Sequence, residues 1–163
     1  MRTVLNKQPL RRDFGKHPEV EGLILESDIQ INRGRLRLKL LVFYKPVQLR
    51  AFWKNVLGKD SLGKGCLGAV NSLQVMCENP ATGARRKEVD GRYFAIMGLC
   101  AEHLGMEILS HEAVHAGFAY AQRVGNHSPW HDAFDLDEEH LAYPTGRVAC
   151  EVLRTLRRYK LVP

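Results

Sequence analysis

The chain has 163 residues, 45% of them hydrophobic and 26% charged, a balance that excludes disordered and fibrous classes and allows one globular domain with a real core. Its net charge of +6 is unevenly placed, with 14 Lys/Arg against 6 Asp/Glu in residues 1–64 and 10 against 12 in the remainder. The basic N-terminal half could meet nucleic acid or an acidic partner. Its cations are scattered without interleaved aromatics, however, which fits a solvated surface better. No apolar run reaches the roughly 18 residues that a membrane span requires. The positive N-terminus is not followed by an apolar stretch, so a secretion signal is not expected and a cytoplasmic location is.

Residues 1–20 are polar and read as an arm, leaving 21–163 as a single domain. Two β-like runs open it, Leu23 to Ile31 and Arg35 to Tyr44, joined by Asn32-Arg33-Gly34, whose residues tolerate positive φ and suit a hairpin. Pro46 can open a helix, and Val47, Leu49, Phe52, Trp53, Val56 and Leu57 recur at helical spacing until Gly58. The glycine-rich LGKDSLGKGCLG lacks a complete phosphate-loop pattern and reads as a connection. Strands are then expected over Ala69 to Met76 and Arg92 to Cys100, with a turn region around Pro80, Gly83 and Arg85 to Lys87. A long helix follows over about Gly105 to Val124, stopped by Gly125-Asn126, and a last helix over about Asp137 to Tyr159, in which Pro144 either makes a kink or begins the main segment. Strands first and helices last predict an α+β domain with a small, mostly antiparallel sheet packed on the helices. The cysteines, Cys66, Cys77, Cys100 and Cys150, form no C-x-x-C pair and read as buried, reduced thiols.

Residues 111–115 read His-Glu-Ala-Val-His. On a helix, residues four apart point about 40° from one another, so His111 and His115 face the same way and two neutral imidazoles can grip one zinc ion. Glu112, one step round, can take a proton from a zinc-bound water without ligating. Two imidazoles and a carboxylate inside the apolar stretch MEILSHEAVHAGFAYA would be costly without such partners. Residues 105–140 hold seven Asp/Glu and one Lys/Arg, which favours a cation. Asp132, Asp135 and Asp137 fit second-sphere support of the imidazoles or plain loop solvation.

A catalytic zinc takes three protein ligands and leaves one position for water. The extension H-x-x-G-x-x-H is absent, because Phe118 and Ala121 stand at its glycine and histidine positions. The sequence Glu138-Glu139-His140-Leu141-Ala142-Tyr143 resembles the gluzincin arrangement, in which a glutamate on a following helix completes the site. That resemblance implies Glu139 as third ligand in preference to Glu138, and a supporting or oxyanion-donating role for Tyr143, which stands where those families have Asp or Asn. HEAVHAGFAYA…DEEHLAYPTGRV also looks like small zincin-like proteins of phages and bacterial mobile elements. The segment Asn126-His127-Ser128-Pro129-Trp130-His131 is reminiscent of SprT-like proteases and offers His127 or His131 instead. In the zincin fold an edge strand beside the metal helix pairs with an extended substrate, and Arg92 to Cys100 is the natural candidate.

The expectation is therefore a zincin-like domain that binds one catalytic Zn2+ and hydrolyses a peptide or protein. Two alternatives are a catalytically silent module of the same fold that binds nucleic acid or a protein, and a nucleic-acid-tethered protease of SprT type.

Overall fold

The near-continuous apolar runs of the chain become the centre of a sheet. Strand β1 (Leu23–Gln30) pairs antiparallel with β2 (Arg37–Phe43), in register from Leu23 opposite Phe43 to Gln30 opposite Arg37, with an irregularity between Leu23 and Leu25. In this computed structural model the described residues are 21–31, 36–57, 62–63, 65–73, 75–78, 85–88, 92–124 and 138–163; of these, the side chains of 56–57, 75–78, 85–88 and 138–140 are not described. The polar arm at 1–20, the hairpin turn at 32–34 and the stop at 125–126 lie outside them.

Helix α1 (Pro46–Leu57) begins at the expected proline. Strand β3 (Gly68–Ser72) follows, then a separate two-stranded ladder of β4 (Val75–Glu78) and β5 (Arg85–Glu88). Strand β6 (Tyr93–Cys100) leads through a 3-10 turn at Ala101–His103 into α2 (Met106–Val124), and α3 (Glu138–Arg158) ends the domain. The main sheet has the order β1-β2-β6-β3, with β2 and β6 parallel and the other two pairings antiparallel. Among the described residues the fold is α+β, with a four-stranded mixed sheet, a two-stranded ladder and three α-helices.

The two faces of the sheet are covered unequally. Leu38, Leu40, Val42, Met97 and Leu99 pack on Leu109, Ala113, Ala116 and Ala119 of α2 and on Val148, Val152 and Leu156 of α3. Leu41, Phe43, Ala69 and Ile96 pack the other face on Leu49, Phe52 and Trp53 of α1. Each of the larger apolar side chains among these, fully buried, contributes about 1.5–3 kcal/mol. Small residues bring α2 and α3 together: a Cβ at Gly117 would overlap Thr145 Oγ1 and lie 3.0 Å from Thr145 Cα. Past the α1 cluster the face turns polar. Buried Lys39 reaches Asp28 Oδ1 at 2.6 Å and Glu26 Oε1 at 2.9 Å, and Tyr93 OH donates to Asp28 Oδ2 at 2.7 Å.

Several expectations are corrected. The single strand expected over Ala69 to Met76 breaks after Ser72, so β3 joins the main sheet and β4 the second ladder. Arg85–Glu88, expected as a turn, is a strand, because a two-stranded ribbon needs no apolar face. The strand over Arg92 to Cys100 is internal, held between β2 and β3, and cannot pair with a substrate; among the described residues the edges of this sheet are β1 and β3. Pro144 does not begin α3: the helix starts six residues earlier, and the proline lies inside it. Of the cysteines expected to be buried, Cys100 is, Cys66 is half-buried and Cys150 is exposed; all three are free thiols, and Cys77's side chain is outside the described set. No helix among the described residues is long and apolar enough to cross a membrane.

Candidate metal centre

The 3.6-residue period of α2 sorts its side chains into faces. Leu109, Ala113 and Ala116 go into the core, Gly117 meets α3, and His111, Val114 and His115 are exposed. The two imidazoles stand on adjacent turns with ring centroids 4.8 Å apart and Nε2 atoms 3.2 Å apart. Two tetrahedral zinc ligands at about 2.0–2.1 Å from the ion lie about 3.3–3.4 Å apart, so the pair already has nearly the spacing of a ligand pair. Burial and the neighbouring His111 both lower the pKa of His115, which favours the neutral ring that a metal needs.

Glu112 points elsewhere, against the sheet. It is 5% exposed, and its Oε2 is buried without a hydrogen-bond partner among the described residues. The carboxylate fits because position 68 of β3 has no side chain: a Cβ there would lie 2.7 Å from Glu112 Cγ and 2.8 Å from Oε1. Burial raises its pKa to about 7, a nearby His111 opposing part of the rise. An unpaired buried carboxylate costs free energy, and a group of pKa near 7 suits proton transfer at neutral pH. Half-buried Cys66 lies beside the same strand, its Sγ donating to Gly68 O at 2.7 Å.

His111 and His115 are thus brought together on the exposed side of α2, while Glu112 of the same helix turns toward Gly68 of β3. Tyr143 is not joined to them: it is 75% exposed on α3, and no hydrogen bond or ring contact links it to the three. The side chain of Glu139, like that of Glu138, lies outside the described set, as do residues 127, 131, 132, 135 and 137 entirely. Among the described residues no group of three or more His, Cys, Asp or Glu side chains gathers around one point. Positions 111 and 115 lie about 120° and 160° round α2 from position 117, whose glycine packs on Thr145; the imidazoles therefore open away from α3. The two imidazoles fit two of a zinc ion's ligands, and the described residues supply no third.

Sequence reasoning missed Gly68, which had been read as part of a connection. Its signal was weak, a glycine just before the apolar pair Ala69-Val70. Comparison of the chain with models of known protein families, with curated proteins and with solved structures finds no match.

Proposed function

We propose that the chain is a zinc-dependent hydrolase, of metallopeptidase kind, in which His111 and His115 hold the ion and Glu112 is the general base. The observation that carries this reading is the buried Glu112 carboxyl, its Oε2 without a partner among the described residues, one residue from His111 and three from His115, whose imidazoles stand at ligand spacing. A bound zinc ion would lower the pKa of a water to about 7 and polarise a carbonyl. Glu112, with its own pKa near 7, would accept the water's proton and return it to the leaving amine. The apolar surroundings of the carboxylate strengthen that proton affinity, and Gly68 keeps room for it.

An extended peptide would pair with β3. The hydrogen bonds Cys100 N to Leu67 O and Leu73 N to Phe94 O place the backbone groups of Leu67, Ala69, Asn71 and Leu73 toward β6. In an antiparallel ladder the intervening Gly68, Val70 and Ser72 then present theirs to the open edge. Such pairing gives affinity with little sequence readout.

For the third ligand, the gluzincin resemblance implies Glu139, with Tyr143 supporting the site or donating to a developing oxyanion. The opening of the imidazoles away from α3 favours instead a donor between the helices, His127 or His131. Metal content of Glu139→Ala, Glu138→Ala, His127→Ala and His131→Ala separates them, because only loss of the true ligand abolishes tight binding.

The zincin-fold module without catalysis is the competing function, and without a metal the two rings could simply hydrogen-bond to each other. Glu112→Gln decides on catalysis: with zinc loaded, it should cleave a mixed peptide library about 10²–10⁴-fold more slowly than wild type while keeping metal and fold. Equal rates, or no cleavage by wild type, would remove the hydrolase.

A further inference from the structure

The C-terminal half of α3 carries a second surface. Its inner stripe, Val148, Val152 and Leu156, is fully buried in the core. Its outward side holds Arg147, Arg154, Arg157 and Arg158, all exposed, with Lys160 just beyond the helix. Residues 146–163 contain these five cations and one carboxylate, Glu151. Glu151 is shared between Arg154 at 2.7 Å and Arg147 at 3.4 Å, so it offsets one charge of the five.

We propose that this face docks on the phosphate backbone of a nucleic-acid duplex. Positions 147, 154 and 158 follow one helical stripe, spanning about 16 Å at 1.5 Å per residue. A duplex presents about one phosphate charge per 1.7 Å of axis, so several phosphates fall within reach of the stripe. The guanidinium fork matches phosphate oxygens in pairs, which an ammonium does not. Cations in the last turn are favoured by the helix dipole alone, which accounts for Arg157 and Arg158. It does not account for Arg154, about one turn earlier; Arg147, about three turns earlier, is held by Glu151 and donates from Nε to Ile31 O at 3.1 Å.

An anionic membrane is the poorer partner. A helix lying in a bilayer interface needs a free apolar face beside its cations, and the apolar face of α3 is already used in the core. These cations lie on a different helix from His111, Glu112 and His115.

The test is fluorescence anisotropy with a labelled duplex of about 20 base pairs, across a salt series, for wild type and Arg154→Gln/Arg158→Gln/Lys160→Gln. Wild type should bind with a Kd of about 10⁻⁶–10⁻⁴ M, with affinity falling steeply as salt rises. The triple variant should bind at least about tenfold more weakly at low salt, with a log K against log salt slope shallower by roughly 2–3. Thermal melts must coincide; if the triple variant is unstable, Arg157→Gln/Arg158→Gln takes its place and should lose about two phosphate contacts. Unchanged affinity and slope in a stable variant would overturn the proposal, placing any binding on the N-terminal half. Absence of duplex binding by wild type would overturn it too, as would binding to phosphatidylserine vesicles in place of the duplex.

Discussion

Gly68 of β3 and Glu112 of α2 occupy a space that only one side chain can fill. With glycine at 68, the Glu112 carboxyl lies flat against the strand, shielded from water and raised in pKa to about 7. Gly68→Ala sets a methyl 2.7 Å from Glu112 Cγ, so either the glutamate turns out or the strand shifts. Overpacking of this kind costs about 1–3 kcal/mol. The expected outcome is zinc retained, a moderate fall in melting temperature and a drop in kcat of about tenfold or more. Zinc content, a thermal melt and steady-state kinetics on one protein batch check it; an unchanged kcat would mean that the position of Glu112 does not matter to turnover.

The edge of β3 gives a separate prediction. Val70→Pro removes an N–H that points away from β6, so the ladder within the sheet keeps its bonds, as proline on an edge strand allows. Peptide substrates should show a several-fold higher KM with zinc content unchanged. If KM stays the same for long and short peptides alike, the substrate does not pair with β3.

The polar patch around Lys39 predicts a pH dependence of stability. Burial opposes the charge on Lys39, yet Asp28 and Glu26 more than compensate and raise its pKa above the usual lysine value. Burial and the hydrogen bond to Asp28 push Tyr93 up to about 12. Asp28 is lowered, its partners Lys39, Tyr93 and Arg37 outweighing its burial. Groups raised on folding contribute stability that is complete below their unfolded values and lost as pH rises, here above about 10. A lowered carboxylate contributes above about 4 and is lost as pH falls. Stability should therefore decline on both flanks, and Lys39→Met should be less stable at pH 7 by about 1–3 kcal/mol with shallower flanks. Urea melts between about pH 3 and 11 check this; parallel curves for both proteins would show that the network does not govern the pH response.

Much of this molecule was legible in the sequence, for definite reasons. His111, Glu112 and His115 fall on one helix because the apolar residues around them repeat with helical period and nothing from Met106 to Val124 breaks it. The internal position of β6 was also written there: Phe94 to Cys100 is apolar or glycine at every step and buried throughout, as expected of a strand covered on both faces with a parallel neighbour. Read as an edge, it was misjudged for want of that inference. Arg85–Glu88 gave no warning, because a charged strand in a two-stranded ribbon looks like a turn. Gly68 left only a weak trace before Ala69-Val70, since its role comes from a helix more than 40 residues away.

The central claim is that His111 and His115 are a zinc pair and not two stacked surface histidines. Metal content of the purified protein, measured by mass spectrometry beside His111→Ala/His115→Ala, tests it most directly. One zinc per wild-type chain and none in the double variant are expected, with both proteins folded. Equal zinc in the two, or a wild-type chain that binds none under saturating zinc, would contradict it.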